Sequence, residues 1–175
     1  GLLESSARDL PARHHSIRAV FDHSWKLLTE TEQIALRRLS VFQGGFRREA
    51  ALEVADVSLT ILASLVDKSF LSLTPTGRYR RHPLIIQYAQ EKLSDFPEEK
   101  VHMEERHGLY YLHFLQEKDK HLRTLKRKET FKLVDEDFPN IRAAWNWAIR
   151  ETRADALKNT MDPLTNYFMM VRRLE

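Results

Sequence analysis

Apolar residues recur at helical spacing through most of the chain, and this spacing predicts a mainly helical protein. The first helix is predicted to follow a cap at Ser16, and a fourth is capped by Ser58. Between them, Thr29 and Glu32 form the T-x-x-E pattern of a capping box, which marks the start of the second helix. A third helix is predicted at roughly 47–56.

The same spacing predicts which side chains of these helices face inward. A short extended segment, Val41–Phe42, is expected after the second helix, and Gly44–Gly45 ends it. The predicted core positions of the second, third and fourth helices are Leu36, Leu39, Ala50, Ala51, Val54, Leu59, Leu62, Leu65 and Val66.

A strand-like alternation follows the fourth helix. Leu71 and Leu73 alternate with polar residues, a period of two that favours a strand. A turn at 75–77, with sequence Pro-Thr-Gly, joins it to a second strand predicted over 78–82, which together make a β-hairpin. Helices, a hairpin and a closing helix are the parts of a winged-helix domain, which we place at 16–95.

The closing helix begins at a proline. Pro83 suits the first helical position, where its missing N–H costs nothing, so His82 is predicted to be the N-cap. Arg80, Arg81 and His82 then gather at a helix N-terminus, whose partial positive charge and free N–H donors attract anions, phosphate above all. The apolar stripe of this helix is predicted to be Ile85, Ile86, Ala89 and Leu93.

The segment after a break at 95–99 is purely helical in pattern. A long helix is predicted over about 98–121, and a second helix carries Phe131, Val134 and Phe138. Pro139 is expected to open a third helix, with Trp145 in its core stripe and Trp147 partly exposed. A last helix from about Asp155 should be interrupted or kinked at Pro163. We therefore expect antiparallel, TPR-like helical repeats over 98–175. The face of the long helix is predicted to be Gly108, Tyr111, Leu112, Leu115 and Leu122.

Composition excludes several classes of function. The 175 residues contain no cysteine, so disulfides and thiolate metal sites are impossible, and the composition suits a reducing cytoplasm. The spacing of His102 and His107 does not match the i, i+4 pair of a helical zinc site, and no pattern marks a catalytic nucleophile. The formal charge of +3 is too small to imply nucleic-acid binding. No apolar run reaches the roughly 20 residues that a membrane span needs.

Three ordered segments resemble a known family. They are RHHSIRAVFDHSWKLLTETEQIALRRLSVFQGGF, LASLVDKSFL and GRYRRHPLIIQYAQEKL. Together they resemble the winged-helix part of STAND-class signal-transducing NTPases, in the bacterial regulator branch related to NB-ARC proteins. The segment LVDEDFPNIRAAWNWAI is similar to the start of the helical repeats of these regulators. The resemblance covers most of residues 9–150.

The resemblance implies a switch that responds to ATP and ADP. In this family the winged helix follows a P-loop nucleotide-binding domain and covers ADP, and a histidine of the MHD motif contacts the β-phosphate. His82 matches that histidine, Arg81 stands at the methionine position and Pro83 at the aspartate position. Arg80 and Arg81 are possible supporting charges. Because this chain contains no G-x-x-x-x-G-K-[ST] motif, we expect no catalysis and no cofactor in it, and ADP or ATP with Mg in the parent protein.

The favoured hypothesis is a regulatory fragment of a cytoplasmic, nucleotide-switched protein. Residues 1–15 would link it to the preceding nucleotide-binding domain, its first partner, and the repeats would bind a protein or small-molecule inducer. Two alternatives stay open: a DNA-binding winged-helix regulator and a nucleotide-independent helical scaffold. The presumed recognition helix offers one lysine and no arginine, asparagine or glutamine to read bases, which argues against nucleic-acid binding by this fragment.

Overall fold

A computed structural model describes residues 18–122 and 127–171. The winged-helix part contains a helix over 18–26, here α1, and four further helices with three short strands. Three longer helices follow. The elements in chain order after α1 are α2 Glu30–Leu39, β1 Phe46–Arg47, α3 Arg48–Ala55, α4 Leu59–Asp67, β2 Ser72–Leu73, β3 Arg78–Arg80, α5 Pro83–Ser94, α6 Pro97–Leu122, α7 Arg127–Arg150 and α8 Ala154–Val171. The fold is mainly α, a winged helix followed by antiparallel TPR-like helices, as predicted.

Side-chain caps set the start of several helices. The capping box at α2 is confirmed, since the Thr29 N–H donates to Glu32 Oε2 at 2.7 Å and the Glu32 N–H to Thr29 Oγ1 at 3.3 Å. Ser58 caps α4 by accepting a hydrogen bond from the Ile61 N–H at 3.4 Å. The predicted cap at Ser16 lies outside the described residues.

The sheet has one strand more than the predicted hairpin. β3 lies between β1 and β2 and is antiparallel to both, with Tyr79 opposite Phe46 on one side and Leu73 on the other. The expected extended segment at Val41–Phe42 is wrong, because the Phe42 N–H donates to the carbonyl of Leu39 and prolongs the turn that ends α2. The extended residues begin at Phe46, after Gly44–Gly45.

The winged-helix core contains most of the predicted positions. Leu36, Leu39, Leu62 and Leu65 are fully buried in one cluster. Leu59 is 52% exposed, contrary to the prediction, since the inner face of α4 is centred on Leu62 and Leu65. Of the predicted α5 stripe, Ile85, Ala89 and Leu93 are buried and Ile86 is half-buried, while Tyr88 joins the buried face.

Pro139 and Pro163 lie inside helices. The prediction that Pro139 opens a helix is wrong, since α7 runs from Arg127 through it to Arg150. Pro139 has no N–H, so the carbonyl of Asp135, four residues earlier, loses its usual helical partner. The neighbouring carbonyl of Glu136 accepts a hydrogen bond from Arg78 Nη2 at 3.1 Å. α8 likewise continues through Pro163, which is buried, so the predicted interruption is wrong, while a kink at this proline stays a prediction.

The burial of the two tryptophans of α7 is the reverse of the prediction. Trp147 is 6% exposed and belongs to the core, whereas Trp145 is only half-buried against it. Ile149, two residues beyond Trp147 along α7, is 58% exposed. The reason is the missing side chain at Gly108 of α6, which opens space for the indole of Trp147.

One hydrophobic cluster extends across the junction between α5 and α6. It includes Phe42 and Phe46 from the winged helix together with Tyr111, Leu115 and Trp147 from the helices that follow. The division into domains at 16–95 and 98–175 stays a prediction. Within the described ranges, no helix is both long and apolar enough to span a membrane.

Candidate functional site at the start of helix α5

His82 is the N-cap of α5, as predicted, and its side chain is exposed. The Leu84 N–H donates to Nδ1 of the imidazole at 3.3 Å. A ring nitrogen that accepts a hydrogen bond carries no proton, so the neutral ring holds its proton on Nε2. His82 therefore has one N–H donor left for a group outside the helix.

The backbone donors of this helix end already have acceptors. Pro83 has no N–H, the Leu84 N–H binds the imidazole, and the N–H groups of Ile85 and Ile86 donate to the carbonyl of His82 at 2.9 and 3.1 Å. The expected set of free N–H donors is therefore wrong for this first turn. An anion here would meet side chains and the partial charge of the helix end rather than open amides.

The two arginines next to His82 lie on different sides of the backbone. The side chain of Arg80 is exposed and makes no hydrogen bond or ion pair with any described residue. Arg81 is buried, and its guanidinium donates to the carbonyls of Leu39, Phe42 at 2.9 Å and Gly44 at 3.1 Å. As a correction, Arg81 is not a surface charge beside His82, because its donors are turned to the end of α2.

Arg81 stabilises the C-terminus of α2 from inside the protein. The carbonyls that end a helix carry partial negative charge and favour a cation. No carboxylate binds Arg81 among the described residues, and burial lowers the pKa of its guanidinium to about 10, which still leaves it charged at neutral pH. The junction between β3 and α5 is thereby fixed to the loop after α2.

Arg78 is buried on the other side of the same loop. Its Nη2 donates to Asp137 Oδ1 at 2.7 Å and to the carbonyl of Gly45 at 2.7 Å. Burial lowers the pKa of the guanidinium, but the hydrogen bond and charge of Asp137 more than offset this, so the pKa lies above its ordinary value. Arg78 is therefore buried between two elements and is not an exposed charge of the wing.

Asn140 completes a polar network between the winged helix and the helices that follow. Its Oδ1 accepts from the Gln43 N–H at 2.7 Å, and its Nδ2 donates to the carbonyl of Gly45 at 3.0 Å. His107 Nε2 lies 3.2 Å from the same Oδ1 and so acts as the donor. Burial is the main cause that lowers the pKa of His107, to about 4, with a further contribution from the charge of Arg81.

The presumed recognition helix carries little positive charge. The exposed side chains of α4 are Leu59, Thr60, Ala63 and Asp67. Lys68, which follows the helix, binds both carboxylate oxygens of Glu32 at 2.8 and 2.7 Å. Lys26 and Arg80 are the exposed cations that make no ion pair or hydrogen bond within the described part of 18–95.

Sequence reasoning missed Asp137, Asn140 and the inward direction of Arg78 and Arg81. A signal was present, since an aspartate and an asparagine flank Pro139 in the middle of an apolar helical pattern. Buried polar residues need partners, so such positions indicate a contact with another element. The described residues contain no group of three potential ligands that could hold a metal ion.

The chain is similar to mycobacterial proteins that are named as regulators. Three of them, each named a putative HTH-type transcriptional regulator, come from Mycobacterium bovis and from the CDC 1551 and H37Rv strains of Mycobacterium tuberculosis. Each is 36% identical to this chain over 182 aligned positions, which cover 93% of this chain and 20% of the relative. No protein-family profile matches the chain, and no solved structure matches it significantly.

The match covers only one segment of each of these relatives. The chain spans about a fifth of the length of the curated relatives that it matches. It is therefore related to one segment of proteins named as transcriptional regulators, and those names describe regulators rather than enzymes.

Proposed function

We propose that this chain is a regulatory segment of a larger transcriptional regulator, in which His82 contacts a nucleotide phosphate bound by another domain. The observation that carries the proposal is the exposed imidazole at the N-cap of α5, with its remaining N–H on Nε2. A neutral imidazole N–H and the positive end of a helix both favour a phosphate oxygen. Arg80, exposed two residues earlier, adds a cation on the same short segment.

The support around His82 suits a contact that must be held in place. Arg78 and Arg81, on either side of the exposed Arg80, are buried and bound to the loop after α2. The backbone that carries His82 is therefore fixed from within, and a phosphate contact would not first have to order it. The parent protein would switch between an ADP-bound resting state and an ATP-bound active state, as in the STAND class that the sequence resembles.

A substitution in the complete regulator tests this proposal. His82→Ala should weaken retention of ADP in the purified protein and raise basal transcription from its target promoter. The matched control is His113→Ala, which removes an exposed imidazole from the middle of α6. If His82→Ala and the control retain ADP equally and give the same basal activity, the phosphate contact is refuted.

DNA binding by the winged helix is a second candidate, favoured by the names of the mycobacterial relatives. The apolar and acidic outer face of α4 is the observation against it, because duplex binding depends on cations that neutralise phosphates.

Fluorescence anisotropy of this chain with random-sequence DNA duplexes at several salt concentrations distinguishes the two proposed functions. The regulatory proposal expects no salt-dependent binding. Binding that weakens steeply with salt, and that Arg80→Gln reduces while Lys132→Gln on α7 does not, would favour DNA contact by the wing.

A further inference from the structure

A cavity of about 580 Å³ lies between the winged helix and the helices that follow. Its walls come from the turn after α2, from α5 and from the facing sides of α6 and α7. This volume falls within the range of roughly 300–1,000 Å³ that is typical of small-molecule sites. Exposed residues such as Gln87 and Lys100 lie at its edge, so it opens to solvent.

The charged groups of the cavity leave one cation without a partner. Glu91 is paired with Arg18 at 2.9 Å, and Glu104 is paired with Arg150 at 2.6 Å. Lys100 makes no ion pair or side-chain hydrogen bond with any residue in the described ranges. Arg150 is also paired with Glu151 at 3.2 Å, so within the described ranges Lys100 is the charged side chain of the cavity wall that has no ion-pair partner.

Neutral hydrogen-bonding groups line the rest of the wall. Gln87 has no side-chain partner among the described residues, and Gln90 uses its Nε2 on the carbonyl of Ser40 at 3.4 Å, which leaves its amide oxygen as an acceptor. The floor includes Trp147 and His107, both buried. A ligand that suits this set has one anionic group, polar edges and a modest apolar surface.

The wall is preformed rather than loose. Trp147 is held against Gly108, and His107 is held by Asn140, which also binds the backbone of Gln43 at the cavity edge. Binding would not require these groups to be ordered first, which lowers its entropic cost.

We propose that this cavity binds a small organic anion, a carboxylate or a phosphate monoester, with Lys100 as the group that pairs with the anion. The proposal does not depend on a phosphate contact at His82, which lies outside the cavity wall. Because the walls belong to both halves of the chain, the bound anion bridges the winged helix and the helical region.

Fluorine NMR of three probes of similar shape tests the charge requirement on this chain. The probes are para-fluorobenzoate, para-fluorophenyl phosphate and the neutral para-fluorobenzamide. At least one of the two anions should bind more tightly than the amide, and the tighter anion identifies whether carboxylate or phosphate is preferred. Equal binding of all three probes, or no binding of either anion up to about 10 mM, would overturn the proposal.

Two variants locate the binding. Lys100→Gln should weaken binding of the preferred anion about tenfold or more, as expected for the loss of a charge-assisted hydrogen bond. Lys132→Gln removes an exposed lysine of α7 outside the cavity wall and should change nothing. Ala143→Leu, which adds bulk to the wall, should block binding while the thermal unfolding midpoint shows that the protein stays folded. Equal effects of the two lysine variants, or unchanged binding after Ala143→Leu, would refute this location.

Discussion

The indole of Trp147 lies against the backbone of Gly108. A Cβ atom at position 108 would come within 2.2 Å of Cε3 and 2.5 Å of Cδ2 of that ring, distances that no side chain tolerates. Gly108 is buried in the middle of α6, where a glycine lowers helix stability by about 1 kcal/mol relative to alanine. Close contact between α6 and α7 therefore depends on a residue that is locally unfavourable.

Gly108→Ala should destabilise the chain despite the gain in helix propensity. The new methyl group forces the indole out of its place, and overpacking of this kind costs about 1–3 kcal/mol or more, which exceeds the gain of about 1 kcal/mol. Urea unfolding followed by circular dichroism measures the net loss. Leu109→Ala, a change at the next and exposed position, serves as the control.

A double substitution tests the cause of that loss. If the clash is with Trp147, Gly108→Ala should lower the free energy of unfolding much less in a Trp147→Leu background than in the natural chain, because the two positions are in contact. Additive effects would mean that Gly108 matters for another reason.

The buried ion pair of Arg78 and Asp137 should be strongly coupled. Asp137→Asn leaves a buried guanidinium without its carboxylate, and such a change lowers the free energy of unfolding by about 3–5 kcal/mol. Arg78→Met should cost a similar amount, since it also removes the donors to Gly45 and Glu136. In chemical unfolding, the Arg78→Met, Asp137→Asn double variant should lose less unfolding free energy than the sum of the two single losses. A strictly additive result would contradict the ion pair.

Local chemistry explains what the sequence could predict. The capping box of Thr29 and Glu32 and the caps at Ser58 and His82 involve neighbours within three residues, so spacing alone identifies them. The hairpin turn and the start of α5 at Pro83 follow from the same kind of short-range rule.

Contacts between distant elements explain what could not be predicted. The burial of Arg78 and Arg81 depends on carbonyls of the loop after α2 and, for Arg78, also on the carboxylate of Asp137 in α7. Trp147 is buried because of a glycine on another helix.

Glu32 should contribute stability that acid removes. Burial raises its pKa, but hydrogen bonds from Lys68, Ser64 and Thr29 outweigh this and lower it from 4.5 to about 2. The carboxylate therefore contributes fully above pH 4.5, and the contribution is lost as the pH falls towards 2. Allowing for Lys68, which is 38% exposed, Glu32→Gln should cost about 2 kcal/mol at neutral pH and progressively less below pH 4.5. Guanidinium unfolding of both proteins at a series of pH values measures this, and a constant difference would contradict it.

His107 should make stability depend on pH in a higher range. Its folded pKa of about 4 lies below the ordinary value of 6.5, so the unfolded chain binds the extra proton first and stability falls as the pH drops from 6.5 to 4. The full loss is on the order of 3 kcal/mol. The physical cause is a second positive charge in a buried site that already holds Arg81, beside the neutral side chains of Asn140 and Tyr111.

The variant His107→Gln isolates this effect, because glutamine can still donate to Asn140 but does not titrate. Its stability should change much less between pH 6.5 and 4.5, a window in which Glu32 of the folded protein stays ionised. His113→Gln, at an exposed position of the same helix, should keep the pH dependence of the natural chain. Unfolding free energies from urea titrations at several pH values give the comparison. If the unfolding free energies of His107→Gln and His113→Gln fall in parallel as the pH is lowered, other groups take up the proton, and the prediction of a buried neutral imidazole at position 107 is wrong.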